Sequence, residues 1–258
     1  MSQPLIRHFQ DFATSWQHSV PKSACRTRIK VTETNTVPVI TIDGPSGSGK
    51  GTIARRVAEA LGYHLLDSGA LYRLTALSAE KNGISLDDAE GVAAIALGLD
   101  IQFDSNEDGS ERIWLSGEDV TQEVRKESTG AGASTVAVIP AVRAALLQRQ
   151  RAFQMAPGLV ADGRDMGTQV FRSAALKIFL TASAEERAGR RHKQLKDKGM
   201  GVSLAALSRD IEDRDRRDSE RSVAPLTPAP DARILDSSGQ SIETVTNTVL
   251  GWVADLYS

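Results

Sequence analysis

The sequence predicts a three-layer α/β fold, in which a five-stranded parallel sheet lies between helices on both faces. Two observations predict it. Five short apolar runs alternate with segments whose apolar residues have helical spacing, and this alternation is typical of parallel sheets. The first run, at 39–42, is followed at once by a glycine-rich turn and by a helix over 52–61. Right-handed crossovers are the default connection for such a chain.

The elements are predicted in a regular order along the chain. Strands are expected at 39–42, 63–66, 159–162, 176–180 and 233–236. Helices are expected at 52–61, 70–81, 86–97, 134–154 with a break at Pro140, 184–196, 204–221 and 241–256, with a short turn or helix at 120–124. The helix over 204–221 is expected to fray beyond Asp218.

One segment interrupts this alternation. Residues 99–103 alternate between apolar and polar, 104–110 are polar, and 112–115 return to an apolar pattern. The pattern predicts an antiparallel β-hairpin with a long loop. A hairpin inside a chain of alternating strands and helices indicates an insert at the edge of the main sheet. We therefore expect one domain over 37–258 that carries an insert.

Composition limits the classes of function. The chain has 258 residues, a formal net charge of −2 and one cysteine, Cys25. A single cysteine excludes an internal disulfide and fits a reducing cytoplasm, which is the expected location. The near-neutral charge argues against general nucleic-acid binding, so any phosphate site must be local. No apolar run approaches the roughly 18 residues that span a bilayer, and no membrane partner is expected.

The first 36 residues differ from the rest. They show no sustained periodicity, and they hold five basic residues against two acidic ones. A secretory signal would need a compact apolar segment, which is absent. An organellar transit peptide stays open as an alternative. We favour a disordered tail, or a start codon placed too far upstream, and assign the segment no function.

The glycine-rich turn predicts a phosphate site. A strand, a turn and a helix in that order form the context of a P-loop, in which consecutive backbone N–H groups point into one nest. The helix N-terminus adds partial positive charge. Lys50 can reach the β- and γ-phosphates, and Thr52 can contact Mg²⁺. The residues expected to bind ATP are Gly44, Pro45, Ser46, Gly47, Ser48, Gly49, Lys50, Gly51 and Thr52.

Other nucleotide-binding classes fit less well. A GTPase switch would need an Asn-Lys-x-Asp motif that recognises the base, and the chain has none. A motor ATPase usually has an apolar strand that ends in Asp-Glu, whereas the candidate strand ends here are Asp162-Gly163 and Asp236-Ser237. In the P-loop itself, Gly51 separates the lysine from the threonine, and this form resembles the P-loop of nucleoside monophosphate kinases.

Arginines in the second half of the chain support a kinase. Arg214, Arg217 and Arg221 lie at i, i+3 and i+7, so a helix would place them on one face with Asp218. Taken alone, the run fits a solvated helix with i,i+4 ion pairs. Beside a phosphate site we favour a closing segment whose guanidinium groups neutralise the transferring phosphoryl group and exclude water. The glycines at 199 and 201 offer hinges for it.

Five ordered motifs together resemble bacterial cytidylate kinase. They are DGPSGSGKGT at 43–52, LDSGALYR at 66–73, ADGRDMGT at 161–168, the arginine run at 214–221 and APL at 224–226. The resemblance extends from about residue 38 to the C-terminus. It implies phosphoryl transfer from ATP to CMP or dCMP with Mg²⁺, in pyrimidine nucleotide metabolism. It also implies a monophosphate-binding insert at about 68–155 and a helical lid at about 190–222, in a chain expected to be a monomer.

The resemblance also implies roles for individual residues. Ser68, Arg73, Arg164 and Arg214 correspond to the clamp on the monophosphate, and Ser134, Arg143 and Asp165 to the cytosine readers. Asp218 corresponds to the sugar contact, with Arg221 beside the phosphates. Asp162 would order the waters of Mg²⁺ or arginine side chains, and Thr52 is the expected metal contact. The expected catalytic set is Lys50, Arg164, Arg214, Arg217, Arg221 and Asp162.

Two alternatives stay open at this point. One is another small-molecule kinase with a P-loop, such as a UMP/CMP or adenylate kinase. The other is a regulatory protein that binds nucleotides without transferring phosphate. A substrate panel separates the first from a cytidylate kinase, and ATP binding without formation of CDP would indicate the second.

Overall fold

The computed structural model describes residues 37–105, 111–197 and 201–257. The predictions for the first 36 residues, for most of the hairpin loop and for a hinge at Gly199 lie outside the described residues. The chain divides into two compact units. Among the described residues, the smaller unit holds 70–145, and the larger unit holds 37–69 together with 146–257. The predicted functional bounds of an insert and a lid stay predictions.

The strands and helices alternate as the sequence indicates. The strands are β1 (Val39–Asp43), β2 (His64–Asp67), β3 (Ile101–Ser105), β4 (Glu111–Leu115), β5 (Glu118–Asp119), β6 (Leu159–Gly163), β7 (Leu176–Thr181) and β8 (Arg233–Asp236). The α-helices are α1 (Lys50–Leu61), α2 (Ser68–Lys81), α3 (Ala89–Leu97), α4 (Thr121–Val124), α5 (Glu127–Val136), α6 (Pro140–Ala152), α7 (Ala184–Asp197), α8 (Leu204–Glu220) and α9 (Ile242–Asp255). One π-helical turn covers Met166–Val170.

The larger unit is built on a five-stranded sheet. Its strand order is β2-β6-β1-β7-β8, and every pair is parallel. The predicted fold class is therefore confirmed. Ile40, Ile42, Ile178 and Leu180 are fully buried and form the core with α1 and α9. Burial of these β-branched and aliphatic side chains on the central strands holds the sheet in place.

The carboxyl ends of three neighbouring strands carry aspartates. Asp43 ends β1, Asp67 ends β2, and Asp162 lies next to the end of β6, paired with Asp67 across the strands. Because carboxyl ends of parallel strands meet at one edge of a sheet, all three carboxylates lie at the edge where the P-loop leaves β1. Ligands of open α/β sheets bind at this edge.

The smaller unit contains the predicted hairpin. Strands β3 and β4 pair in antiparallel register, from Ile101 opposite Leu115 to Ser105 opposite Glu111. A third, two-residue strand, β5, pairs with β4 and was not predicted, because two exposed acidic residues show no strand pattern.

Helix α5 begins at Glu127, seven residues before the predicted start. Gly130 and Gly132 lower the helical propensity of this segment, which hid the helix in the sequence. Their lack of side chains allows close packing against α2. A Cβ on Gly130 would lie 2.7 Å from the Arg73 guanidinium, and one on Gly132 would lie 3.2 Å from Ala76. Tertiary packing therefore outweighs local propensity here.

One other feature differs from the predictions. Helix α8 continues to Glu220, so the prediction that it frays beyond Asp218 was wrong. The buried Asp218 contacts Arg164, and this contact holds the last turn in place. Within the described ranges no single helix is long and apolar enough to cross a membrane, although α5 and α6 taken as one bent pair meet the length and composition test.

Candidate active site

The turn between β1 and α1 forms a concave backbone cradle. Gly44 has φ of 155°, and a Cβ at this position would lie only 2.0 Å from the Leu180 carbonyl oxygen. Only glycine fits this approach to β7. Helix α1 then begins at Lys50, directly after Gly49 with φ of 90°, so the N-terminus of the helix lies at the end of the turn. The predicted P-loop geometry is present in the larger unit.

The glycine between Lys50 and Thr52 has a structural reason. A Cβ on Gly51 would lie 3.1 Å from Oδ2 of Asp162, which is closer than side chains usually approach. The carboxylate of Asp162 therefore lies against the start of α1. This packing explains why the lysine and the threonine are separated by a residue without a side chain.

Lys50 is held only by long contacts. Its Nζ lies 3.9 Å from Oδ1 of Asp162 and donates to the Pro45 carbonyl at 3.4 Å. The pKa of Lys50 is lowered to about 8 by burial and by the nearby Arg164, against the opposing effect of Asp162. An ammonium group that is desolvated and weakly paired gains more from an approaching phosphate than one already engaged in a short ion pair.

Asp162 is buried, and the pKa of its carboxyl group is raised. Burial raises the pKa of its carboxyl to about 6, while Lys50 and Arg164 act in the opposite direction. Its Oδ1 accepts no hydrogen bond within the described part of the chain. An oxygen without a hydrogen bond at the mouth of the cradle is available to a ligand or to water bound to one.

Two arginines of α7 support the cradle from behind. Arg187 donates to the carbonyl oxygens of Ser46 at 3.1 Å and Ala182 at 2.9 Å, and it pairs with Asp215 of α8 through two hydrogen bonds. Arg190 donates to the Ser48 carbonyl at 3.3 Å. Both arginines therefore engage carbonyl oxygens of the turn and occupy none of its N–H groups.

Ser237 completes this support. Its hydroxyl donates to the Ser48 carbonyl at 3.0 Å, and its own carbonyl accepts from Arg190 at 2.6 Å. The sequence prediction did not include Arg187, Arg190 or Ser237. The i, i+3 spacing of the two arginines on α7 is the same signal that drew attention to Arg214 and Arg217, but only the packing shows which arginines reach the cradle.

A second cluster joins α8 to the end of β6. Arg164 donates through Nε to Oδ2 of Asp218 at 2.9 Å, and its Nη1 donates to the Gly163 carbonyl at 3.3 Å. Burial alone would raise the pKa of the Asp218 carboxyl, but Arg164, Arg221 and Arg214 together hold it below its usual range. The structure therefore brings Arg164, Asp218, Arg214 and Arg221 together, as the sequence predicted.

Arg217 is placed differently from its predicted neighbours. Its side chain is exposed, and its Nε donates to the Asp213 carbonyl of its own helix at 3.3 Å. The face of α8 directed to Arg164 holds Arg214, Asp218 and Arg221 instead. A catalytic role for Arg217 stays a prediction.

Ser68 and Asp165 are both buried in the larger unit. Ser68 follows β2, and its hydroxyl lies 3.1 Å from the position that a Cβ on Gly163 would take. Asp165 precedes the π-helical turn, and its carbonyl accepts from Gln169 at 2.8 Å and from Val170 at 3.3 Å. Both residues therefore lie at the carboxyl ends of strands, as expected for residues that contact a substrate.

The remaining predicted residues belong to the smaller unit. Arg73 donates to the carbonyls of Val124 at 3.0 Å and Lys126 at 3.1 Å. Ser134 donates to the Gly130 carbonyl at 3.3 Å. The Arg143 guanidinium lies 6.0 Å from the centre of the Tyr72 ring. Their roles toward a substrate stay predictions.

Comparison with known proteins identifies the family. A family model described as cytidylate kinase matches residues 40–255. The chain belongs to the cytidylate kinase family. Three curated family members show how close the relation is. The cytidylate kinase of Stutzerimonas stutzeri (strain A1501) is 60% identical over 220 residues, which cover 85% of this chain and 96% of that protein.

Two more relatives agree. The cytidylate kinase of Pseudomonas aeruginosa (strain PAO1) is 60% identical over 216 residues, 83% of this chain and 94% of its own. That of Pseudomonas fluorescens (strain Pf0-1) is 59% identical over 221 residues, with 85% and 96% coverage. The resemblance to cytidylate kinases that the five motifs indicated is therefore confirmed over nearly the whole length of these family members.

Proposed function

We propose that this chain transfers the γ-phosphoryl group of ATP to CMP or dCMP, giving ADP and CDP or dCDP. The observation that carries the proposal lies in the larger unit: the charges of Arg164 and Arg214 reach Lys50 at the glycine cradle, and Arg164 is paired with Asp218. Two nucleotides held with their phosphates facing would repel each other in water. Lys50, Arg164 and Arg214 together would offset that repulsion.

Positioning and charge neutralisation account for the chemistry. The attacking oxygen of a monophosphate is already anionic, so the reaction needs no general base. Lys50 follows the transferring group from the cradle side, while the guanidinium of Arg164 faces the acceptor phosphate with the donors that Asp218 does not use. The Asp218 carboxylate keeps this guanidinium oriented before substrate binds. Pre-oriented charge of this kind contributes the largest share of the rate acceleration in phosphoryl transfer.

Mg²⁺ is proposed to accompany ATP. Among the described residues no group of three or more His, Cys, Asp or Glu side chains is arranged to hold a metal ion. The residues nevertheless fit an ion that arrives with phosphate ligands, because such Mg²⁺ needs only one or two protein oxygens. Thr52 is exposed at the start of α1, and Asp162 has an oxygen without a hydrogen bond. When bound, Mg²⁺ would neutralise charge on the ATP phosphates.

Recognition of cytosine is proposed to depend on Asp165, Arg143 and Ser134. Cytosine presents an amine donor and two acceptors, so it suits a carboxylate and an arginine. Uracil has a carbonyl in place of the amine and would leave Asp165 facing an acceptor. A buried carboxylate left unpaired in this way costs enough free energy for strong discrimination.

Three further expectations belong to this proposal. The protein acts as a cytoplasmic monomer, 68–155 bind the monophosphate, and 190–222 form a lid that closes over ATP. The bifurcated hold of Arg187 on the P-loop and on Asp215 of α8 supports a lid that is tied to the donor site. Closure would exclude water and so prevent hydrolysis of ATP.

A coupled assay of ADP release tests the function. Purified protein with Mg²⁺ and ATP is given CMP, dCMP, UMP, AMP and GMP in parallel. We expect turnover of CMP and dCMP to exceed that of the other monophosphates by at least tenfold. Comparable turnover of UMP would indicate a UMP/CMP kinase, a preference for AMP an adenylate kinase, and ATP binding without any turnover a regulatory protein.

A further inference from the structure

One buried carboxylate of the larger unit has no role in the proposed chemistry. Asp43 ends β1 immediately before Gly44, and only 5% of its surface is exposed. Its Oδ1 accepts the N–H of Met166 and its Oδ2 accepts the N–H of Gly167, both at 2.8 Å. Among the described residues no lysine, arginine or histidine pairs with it. The carboxylate is therefore held by backbone alone.

Such a group is costly to bury. The pKa of Asp43 is raised to about 7, chiefly by burial and also by the nearby Asp165 and Asp162, although the two backbone hydrogen bonds act to lower it. An apolar side chain of similar size would carry no such penalty. A buried aspartate at this position is therefore explained by the backbone segment that its two hydrogen bonds hold in place.

They hold the segment that follows Arg164 and Asp165. Met166 and Gly167 are the first two residues of the π-helical turn, and the carbonyl of Asp165 accepts the hydrogen bonds that close this turn. A shift of these two amides would move Asp165 and Arg164 with them. The other end of Asp43 is joined covalently to Gly44, the first residue of the phosphate cradle.

We propose that Asp43 is a positioning residue that sets the distance between the donor cradle and the pair Arg164–Asp165. This inference rests on the proposed function, in which that pair contacts the acceptor nucleotide. One side chain on the rigid end of β1 fixes both loops, so the two reacting phosphates are kept in register. A misplacement of about 1 Å can lower the rate of such a reaction by roughly 100-fold.

Asp43→Asn is the first test. Asparagine has nearly the same size but only one acceptor oxygen, so its NH₂ group would face one of the two N–H groups and push the turn away. We expect kcat/KM for CMP to fall by about 30- to 100-fold and the preference for CMP over UMP to narrow at least tenfold. Affinity for a non-hydrolysable ATP analogue, measured by calorimetry, should change less than about threefold.

Thr41→Val is the matched control. Thr41 lies two residues earlier on the same face of β1, is fully buried, and its hydroxyl has no hydrogen-bond partner among the described residues. It also adjoins the same turn, because a Cβ on Gly167 would lie 2.9 Å from its Oγ1. Valine has the same shape, so this variant perturbs the packing of β1 and leaves both bonds of Asp43. We expect its selectivity to equal that of the wild type.

The outcomes are distinguishable. Loss of selectivity in Asp43→Asn alone supports the proposal. Unchanged kinetics, or equal losses for ATP and for every monophosphate together with a lower unfolding temperature, would overturn it and leave a structural role. If Asp43→Asn does not fold, Asp43→Ser takes its place, because the smaller side chain leaves room for water to accept both N–H groups.

A wild-type protein that does not phosphorylate CMP would contradict the proposed function instead. Calorimetry with CMP and with the ATP analogue still tests Asp43 in that case, because a positioning role predicts a change in one affinity and not in the other. Equal affinities in wild type and variant would then overturn the inference by itself.

Discussion

The cradle proposed to face ATP and the cluster proposed to face CMP are built in opposite ways. The cradle is nine consecutive residues, 44–52, whose backbone N–H groups are proposed to bind phosphate. The cluster joins Arg164 to Asp218, 54 residues away, and depends on side chains. The cradle takes its shape from the backbone angles of its glycines and from the close approach of Gly44 to β7. A site made of distant side chains needs ion pairs and anchored turns to hold its shape.

The cradle and the cluster also differ in how strongly their cations are paired. Lys50 is weakly paired and its pKa is lowered by burial, so the cradle gains most when phosphate arrives. In the cluster, Arg164 already has a short partner in Asp218, whose carboxyl has a lowered pKa. The cradle therefore has a cation that is still available to an arriving phosphate, whereas the cluster has an arginine whose orientation is already fixed by Asp218.

The largest effect is expected at the cradle. Lys50→Ala should lower turnover by about 10³-fold or more, because it removes the cation that follows the transferring phosphoryl group. The measurement is kcat with saturating ATP and CMP. Lys81→Ala is the control, since Lys81 forms only an exposed ion pair with Glu118 at 2.8 Å. A loss of less than tenfold in Lys50→Ala would contradict the assignment.

Selectivity should respond at the acceptor side. Asp165→Asn replaces an acceptor by a group that can also donate, so the ratio of kcat/KM for CMP to that for UMP should fall by roughly 100-fold. The KM for ATP should stay within about threefold. Asp231→Asn serves as control, because Asp231 pairs with Lys177 at the surface. Equal losses for both pyrimidines would refute the role of Asp165 in reading the base.

The ion pair behind the cradle offers a test of stability. Arg187 has a side chain only 5% exposed, so Arg187→Ala leaves Asp215 and the Ser46 carbonyl without their donor and should lower the free energy of unfolding by about 2–4 kcal/mol. Arg216→Ala on α8 breaks an exposed pair with Asp213 and should cost less than about 0.5 kcal/mol. Urea unfolding measures both, and similar losses would show that the cradle does not depend on Arg187.

The smallest effect is a pH dependence. The pKa of Lys50 is lowered to about 8, so its charge is complete well below that pH and is lost as the pH rises through it. We expect kcat/KM for ATP to fall above pH 8 by up to about tenfold per pH unit. The corresponding decrease in kcat should occur at higher pH, because bound phosphate stabilises the ammonium form of Lys50. Lys50→Arg should have lower activity but no decrease above pH 8, because arginine stays protonated. A wild-type profile that is flat to pH 10 would show that Lys50 does not titrate in this range.

Most of the fold could be predicted from local sequence patterns. All five strands of the main sheet, the hairpin and the P-loop follow from apolar runs, alternation and glycine spacing, each of which acts over a few neighbouring residues. The start of helix α5 was predicted seven residues too late, because Gly130 and Gly132 have low helical propensity. These glycines are needed because α5 packs closely against α2. The π-helical turn was not predicted because its amides are fixed by Asp43, 123 residues earlier.

The sequence by itself therefore determined the order of the elements, the phosphate cradle and the family, because backbone conformation and motif spacing are local properties. Only the tertiary structure decided which charged side chains meet. Arg187 and Arg217 lie on helices with similar charge patterns, yet one holds the P-loop and the other lies exposed on its own helix. The difference comes from burial: the guanidinium of Arg187 is withdrawn from water and needs protein acceptors, whereas that of Arg217 is exposed and can be hydrated.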